Sequence, residues 1–136
     1  MNMEQQTILK NVLLIDDDDT TNHVNNRLLV RSGLVGHVEA AINGQQALDY
    51  LSKSADSPPQ LILLDLQMDG MDGFTFLELY KQLPAEKKAK ALIALTSSAS
   101  FYDLTRLKEF PEVLEHLFKP FTQEHLDELI DKYFQE

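Results

Sequence analysis

The stretch Val12-Leu13-Leu14-Ile15-Asp16-Asp17-Asp18-Asp19 joins four consecutive apolar residues to four consecutive aspartates. A short apolar run without alternation reads as a strand buried on both faces, the form found in parallel sheets covered by helices. The format recurs at Leu61-Ile62-Leu63-Leu64, which runs into Asp65, and at Ala91-Leu92-Ile93-Ala94-Leu95, which runs into Thr96-Ser97-Ser98. Weaker strand candidates lie at residues 37–42 and 115–118. Helical patterns fill the intervals. Over residues 20–32, Val24, Leu28 and Leu29 share a face, with Asp19 or Thr20 as the cap and Gly33 at the exit. Asn43 leads into Ala47, Leu48 and Leu51, and Asp72 into Phe74, Leu77 and Tyr80. Ser100, paired with Asp103, precedes Leu104 and Leu107, and Thr122 precedes Leu126, Leu129, Ile130 and Tyr133. Pro58-Pro59 and residues 84–90 read as loops. Five strand–helix repeats in this order predict an α/β fold, a doubly wound sheet with right-handed crossovers.

Composition narrows the function classes. The 136 residues include 22 acidic and 12 basic side chains, a net charge of −10 with histidine neutral, which opposes direct binding to nucleic acid. The same charge favours a soluble monomer. Cysteine is absent, which excludes disulfides, thiolate zinc sites and cysteine nucleophiles. Residues 1–10 are polar and lack the apolar core of a signal peptide, and no apolar run approaches a membrane span. The expectation is a cytoplasmic protein with no membrane partner, a polar tail over residues 1–10 and one domain over residues 11–136 that leaves no room for an output module.

In open α/β sheets the ligand site lies beyond the carboxyl ends of the strands. Those ends carry Asp16 and Asp17, Asp65, Thr96 and Lys119. If the strands are adjacent, all five groups converge on one edge. Clustered carboxylates oppose one another's ionisation. A hard divalent cation such as Mg²⁺ offsets that opposition and needs only one or two carboxylates beside water and a substrate phosphate.

The motifs Leu14-Ile15-Asp16-Asp17, Leu63-Leu64-Asp65, Met68 with Asp72-Gly73, Leu95-Thr96-Ser97 and Lys119-Pro120-Phe121 together resemble the receiver domain of response regulators of two-component systems. The resemblance spans roughly residues 10 to 135. It implies a flavodoxin-like five-stranded parallel sheet in the order 2-1-3-4-5, flanked by five helices. It also implies a phosphoryl switch rather than an enzyme with an external product, loaded by a sensor histidine kinase or a histidine phosphotransfer protein. Asp65 would be the phosphorylated nucleophile. Asp17, Asp65 and the carbonyl of Gln67 would ligate Mg²⁺, with Asp16 acting through water. Lys119 and Thr96 would meet the phosphoryl oxygens. The Lys119–Pro120 bond would be cis. Thr96 with His116 would form the conformational switch, and a downstream protein would bind the face of the fourth helix, fifth strand and fifth helix. The kinase side would dock near Val24, Leu28 and Phe121. The resemblance departs at Asp69, where proline is most common, and at His116, where tyrosine or phenylalanine is usual.

Other readings fit fewer residues. Residues 65–70 come close to a calcium loop, but the twelfth position is Phe76 rather than a bidentate glutamate, and a strand precedes the loop. A haloacid-type phosphatase expects a second acid two residues after its nucleophile; Asp16 and Asp18 have that spacing, without the longer chain and cap. A degenerate receiver that binds without phosphorylation would not need Asp17, Asp65, Thr96 and Lys119 together. His23, His37, His116 and His125 lack ligand spacing and read as surface or packing residues.

Overall fold

In the computed structural model, residues 7–53, 58–68, 70–98 and 100–135 are described. The three long apolar runs are adjacent strands: β1 (Leu9–Ile15), β3 (Leu61–Asp65) and β4 (Ala91–Thr96). With β2 (Val35–Ala41) and β5 (Val113–Phe118) they form one parallel sheet in the order β2-β1-β3-β4-β5. Helices α1 (Asp19–Arg31), α2 (Gly44–Lys53), α3 (Gly73–Tyr80), α4 (Phe101–Leu107) and α5 (Gln123–Tyr133) connect or follow the strands. A 3₁₀ turn, Ala85–Lys87, interrupts the loop before β4. No helix is long and apolar enough to cross a membrane among the described residues.

The central strands are apolar over residues 12–15, 61–64 and 91–95 because both their faces are covered there. Leu13, Ile15, Ile62, Leu64, Leu92 and Ala94 point into a core with α2, α3 and the end of α4. Val12, Leu14, Leu61, Leu63, Ile93 and Leu95 point into a second core with Leu29 of α1 and Leu126, Leu129 and Ile130 of α5. Each of these valine, leucine and isoleucine side chains, fully removed from water, contributes about 1.5–3 kcal/mol. Leu9 lies in this second core and pairs with Val35, so the strand begins inside the stretch expected as a tail, and residues 1–6 lie outside the described residues.

Helix starts follow their capping side chains. Asp72, Ser100 and Thr122 each accept a hydrogen bond from the backbone N–H three residues on, and Asn43 does the same for Gln46. The α1 cap is Asp18, one residue ahead of the candidates read from the sequence; its carboxylate accepts from the Thr20 N–H and the Thr21 hydroxyl. The apolar stripe of α1 also differs. Val24 is 55% exposed, and the buried positions are Asn22, Asn25 and Leu29. Leu104 of α4 is likewise exposed, while Leu107 is buried.

The pairing of β4 with β5 slips by one residue: Leu92 faces Val113, but Ile93 faces Glu115. This bulge inverts the alternation along β5. Val113 packs on the α2/α3 core, whereas Leu117, four residues later, packs on the α1/α5 core. His116 and Phe118 accordingly share the sheet face of Ala94 and Thr96, their register partners.

Candidate functional site

Asp16 directly follows β1 and is fixed from four directions. Its N–H donates to Ala41 O, its carbonyl accepts from Asn22 Nδ2 at 2.9 Å, its Oδ1 accepts from the Asp18 N–H at 2.9 Å, and its Oδ2 accepts from Lys119 Nζ at 2.8 Å. Asp65 ends β3 in the adjacent register. Its Oδ1 accepts from the Gln67 N–H at 3.1 Å and lies 3.4 Å from Lys119 Nζ. Lys119, just beyond β5, reaches both carboxylates because its N–H donates to Thr96 O at 2.8 Å, holding the chain across the end of β4. The Lys119–Pro120 peptide bond is cis.

Asp16 and Asp65 are buried and Asp17 is exposed, and one carboxylate oxygen from each lies within 4.8 Å of the other two. Burial works hardest against the charge on Asp65. The Gln67 N–H opposes that effect, the Asp16 charge reinforces it, and Lys119 again opposes it; the net result is a carboxyl pushed up to about 6. Burial also disfavours the Lys119 charge, but the Asp16 carboxylate and then Asp65 outweigh it and hold the ammonium above the ordinary lysine value. The donor set is all oxygen, carries excess negative charge and opens to solvent through Asp17. Those features fit a hard divalent cation.

Thr96 ends β4 and is 1% exposed. Its Oγ1 lies 2.6 Å from Ser98 O and 2.9 Å from Gln67 Oε1. Gly73 lets this end of the sheet close up: a Cβ there would sit 2.7 Å from Leu66 Cα and 3.0 Å from Asp65 O. Asp69, the departure from the usual proline, lies outside the described residues. His116 stands edge-on to Phe118, with ring centres 4.8 Å apart, and its Nε2 is buried without a hydrogen-bond partner. Burial lowers its pKa.

The structure thus brings together Asp16, Asp17, Asp65, Gln67, Thr96 and Lys119, and places His116 on the same sheet face as Thr96 but further from the strand ends. Asp18 is engaged in capping α1, so the Asp16/Asp18 spacing forms no acid pair at the site. Three contributors were missed from sequence. Asn22 braces Asp16, and its spacing with Asn25 and Leu29 was the available signal. The Gln67 side chain and Ser98 have no sequence signal beyond their nearness to the motifs. His125, read as surface or packing, completes a capping box: its Nδ1 accepts from the Thr122 N–H at 3.1 Å.

The family model for the response regulator receiver domain matches residues 12–131. The chain belongs to this family. Protein PilG of Pseudomonas aeruginosa is 33% identical over 91% of this chain and 87% of its own length. Sporulation initiation phosphotransferase F of Bacillus subtilis is 29% identical over 90% of this chain and 91% of its own. Some other relatives are much longer; the match spans 17% of the sensor histidine kinase CheAY of Helicobacter pylori. Among solved structures, a response regulator receiver protein from Dyadobacter fermentans aligns with a TM-score of 0.83 at 29% identity, covering 93% of this chain and 99% of the other. The receiver fold, with its sheet order and five helices, is the one expected from the motifs.

Proposed function

We propose that this receiver is a stand-alone, phosphorylatable switch: Asp65 accepts a phosphoryl group from a sensor histidine kinase or histidine phosphotransfer protein, and the phosphorylated form binds a downstream protein. The observation that carries this reading is Lys119 Nζ placed 2.8 Å from Asp16 and 3.4 Å from Asp65, with Thr96 at the next strand end. Similarity to PilG and to phosphotransferase F over most of their own lengths supports the stand-alone reading.

At neutral pH a carboxyl with a pKa of about 6 is mostly ionised and remains a nucleophile. An Asp65 oxygen attacks the phosphorus of a phosphohistidine, the P–N bond breaks, and the departing imidazole keeps the electron pair and takes a proton. Lys119 moves from pairing with Asp65 to the phosphoryl oxygens, while Asp16 keeps hold of it. Thr96 turns its hydroxyl to another of those oxygens. Asp16, Asp17, Asp65 and the Gln67 carbonyl would hold Mg²⁺, which supplies neutralisation of the crowded oxygens. Once the Thr96 hydroxyl has moved, His116 follows toward the space it leaves, which is the proposed switch. The output surface is the face of α4, β5 and α5, where Tyr102, Leu104, Leu114 and Phe118 are exposed. The switch turns over no external substrate, works as a monomer in the cytoplasm, and engages neither nucleic acid nor membrane.

The test is labelling by acetyl phosphate of wild type and Asp65→Asn, with Mg²⁺ and with chelator. Wild type is expected to gain one phosphoryl group only with Mg²⁺, and the variant none. Equal labelling of the variant, or labelling indifferent to chelator, overturns the reading.

A further inference from the structure

Gln67, like Lys119, touches both halves of the site. The Gln67 backbone N–H holds Asp65 Oδ1, and the Gln67 side chain reaches across to the loop after β4. There its Nε2 donates to Ser98 O at 2.9 Å, while its Oε1 lies 2.9 Å from Thr96 Oγ1 and 3.3 Å from Ser97 Oγ. Ser98 O only accepts, so the amide nitrogen must face it, and the amide oxygen is thereby turned to the two hydroxyls. The Thr96 hydroxyl has one hydrogen and two acceptors in range, Ser98 O and Gln67 Oε1, which the same carboxamide ties together, and its oxygen accepts from the Ser98 N–H at 3.2 Å. At 1% exposure, Thr96 has little water to replace either acceptor.

We infer that the Gln67 carboxamide is a positioning residue that latches the Thr96 hydroxyl in its resting orientation, and so sets how readily the site takes up a phosphoryl group. The inference rests on the reading of Asp65 as the phosphoryl acceptor. An anion at Asp65 needs the Thr96 hydrogen, and to supply it Thr96 must turn away from Gln67 and Ser98. The latch therefore opposes uptake by about the worth of one neutral hydrogen bond, a factor of roughly three to ten in affinity. Truncating the Gln67 side chain removes one of the two acceptors and the amide that holds Ser98 O in place, so the opposition falls by about one hydrogen bond, while the Gln67 backbone N–H and carbonyl stay where they are.

The experiment uses the full chain with Mg²⁺ and titrates beryllofluoride, a mimic of the phosphoryl group, by calorimetry into wild type, Gln67→Ala, Thr96→Ala and the double variant. Gln67→Ala is expected to bind about three- to tenfold tighter than wild type. In the Thr96→Ala background the same substitution is expected to change nothing, because there is no hydroxyl to release. Equal effects in both backgrounds would make Gln67 a simple loop brace and overturn the latch; so would unchanged or weaker binding by Gln67→Ala. A second measurement needs no anion: the side-chain couplings of Thr96 in the NMR spectrum of the resting protein. One rotamer in wild type and averaging over several in Gln67→Ala is the expected result, and an unchanged single rotamer overturns the latch. If wild type is neither labelled at Asp65 nor bound by beryllofluoride, the acceptor reading fails by itself, and the rotamer result still decides the latch.

Discussion

The two ends of the site are held by different forces. At the β1–β3 end, Asp16, Asp65 and Lys119 form a buried ionic group in which every member has its geometry fixed by backbone contacts. At the β4–β5 end, Thr96, Gln67 and Ser98 are joined by neutral hydrogen bonds, and His116 leaves its Nε2 without any. Separating buried charges is costly, whereas neutral hydrogen bonds can be exchanged for others of equal worth. The first end is thus the harder to rearrange, and the second the easier.

The contrast can be broken most severely at Lys119. Lys119→Met leaves two buried carboxylates facing each other and is expected to cost about 2 kcal/mol at pH 7, less than a fully buried pair because the lysine is partly exposed. The loss should shrink at pH 5, as Asp65 takes up a proton; urea unfolding at the two pH values checks this, and an equal loss at both defeats it. A smaller effect of opposite sign belongs to Asp65→Asn. With a folded pKa raised to about 6, Asp65 contributes stability that is full below its ordinary value of 3.8 and lost as pH rises through 6. The variant should therefore be more stable than wild type at pH 7 by about 1 kcal/mol, after allowance for solvent screening. That advantage should vanish toward pH 4 in metal-free unfolding curves; an advantage that grows on acidification rules out the electrostatic origin.

His116 provides the smallest effect, and its pH dependence runs the other way. Its folded pKa is lowered by burial, so its contribution is present above the ordinary value of 6.5 and lost as pH falls below it. His116→Phe removes that dependence. The difference between variant and wild type should drift by under about 0.5 kcal/mol in favour of phenylalanine between pH 7.5 and 5.5, since the imidazole is only half-buried. Thermal unfolding across that interval measures the drift, and a drift favouring histidine would mean its charged form is stabilised by the fold.

The ionic end was almost wholly legible from sequence, because strands buried on both faces announce themselves as unbroken apolar runs, and the residue after each run must lie at the sheet edge. Asp16, Asp65 and Thr96 could be located on that argument alone, whereas Lys119 follows a mixed strand and was placed by the Lys119-Pro120-Phe121 motif. Helix faces were less legible. Val24 suggested an inward stripe on α1, yet Asn22 and Asn25 take the buried positions, because the end of β1 presents a carbonyl that Asn22 Nδ2 satisfies. A polar residue can be interior when its partner is, and hydrophobic periodicity does not register that. The role of Gln67 was hidden for a related reason: its partners are 29 to 31 residues away, on a loop whose approach depends on the completed sheet.

The slip between β4 and β5 makes the placing of His116 relative to Thr96 a matter of counting. Strand residues alternate like the parity of integers, and the extra residue at the bulge changes that parity once, ahead of His116. Let the ladder run on from Val113 without the slip, and His116 would stand opposite Leu95, turned to the α5 side, with Leu117 opposite Thr96. The same letters in the same order would then set a leucine opposite Thr96, and the imidazole would stand on the other face of the sheet. Leu114 is the odd integer that prevents this, and its own side chain need do nothing. Its contribution is to be one residue more than the neighbouring strand can match.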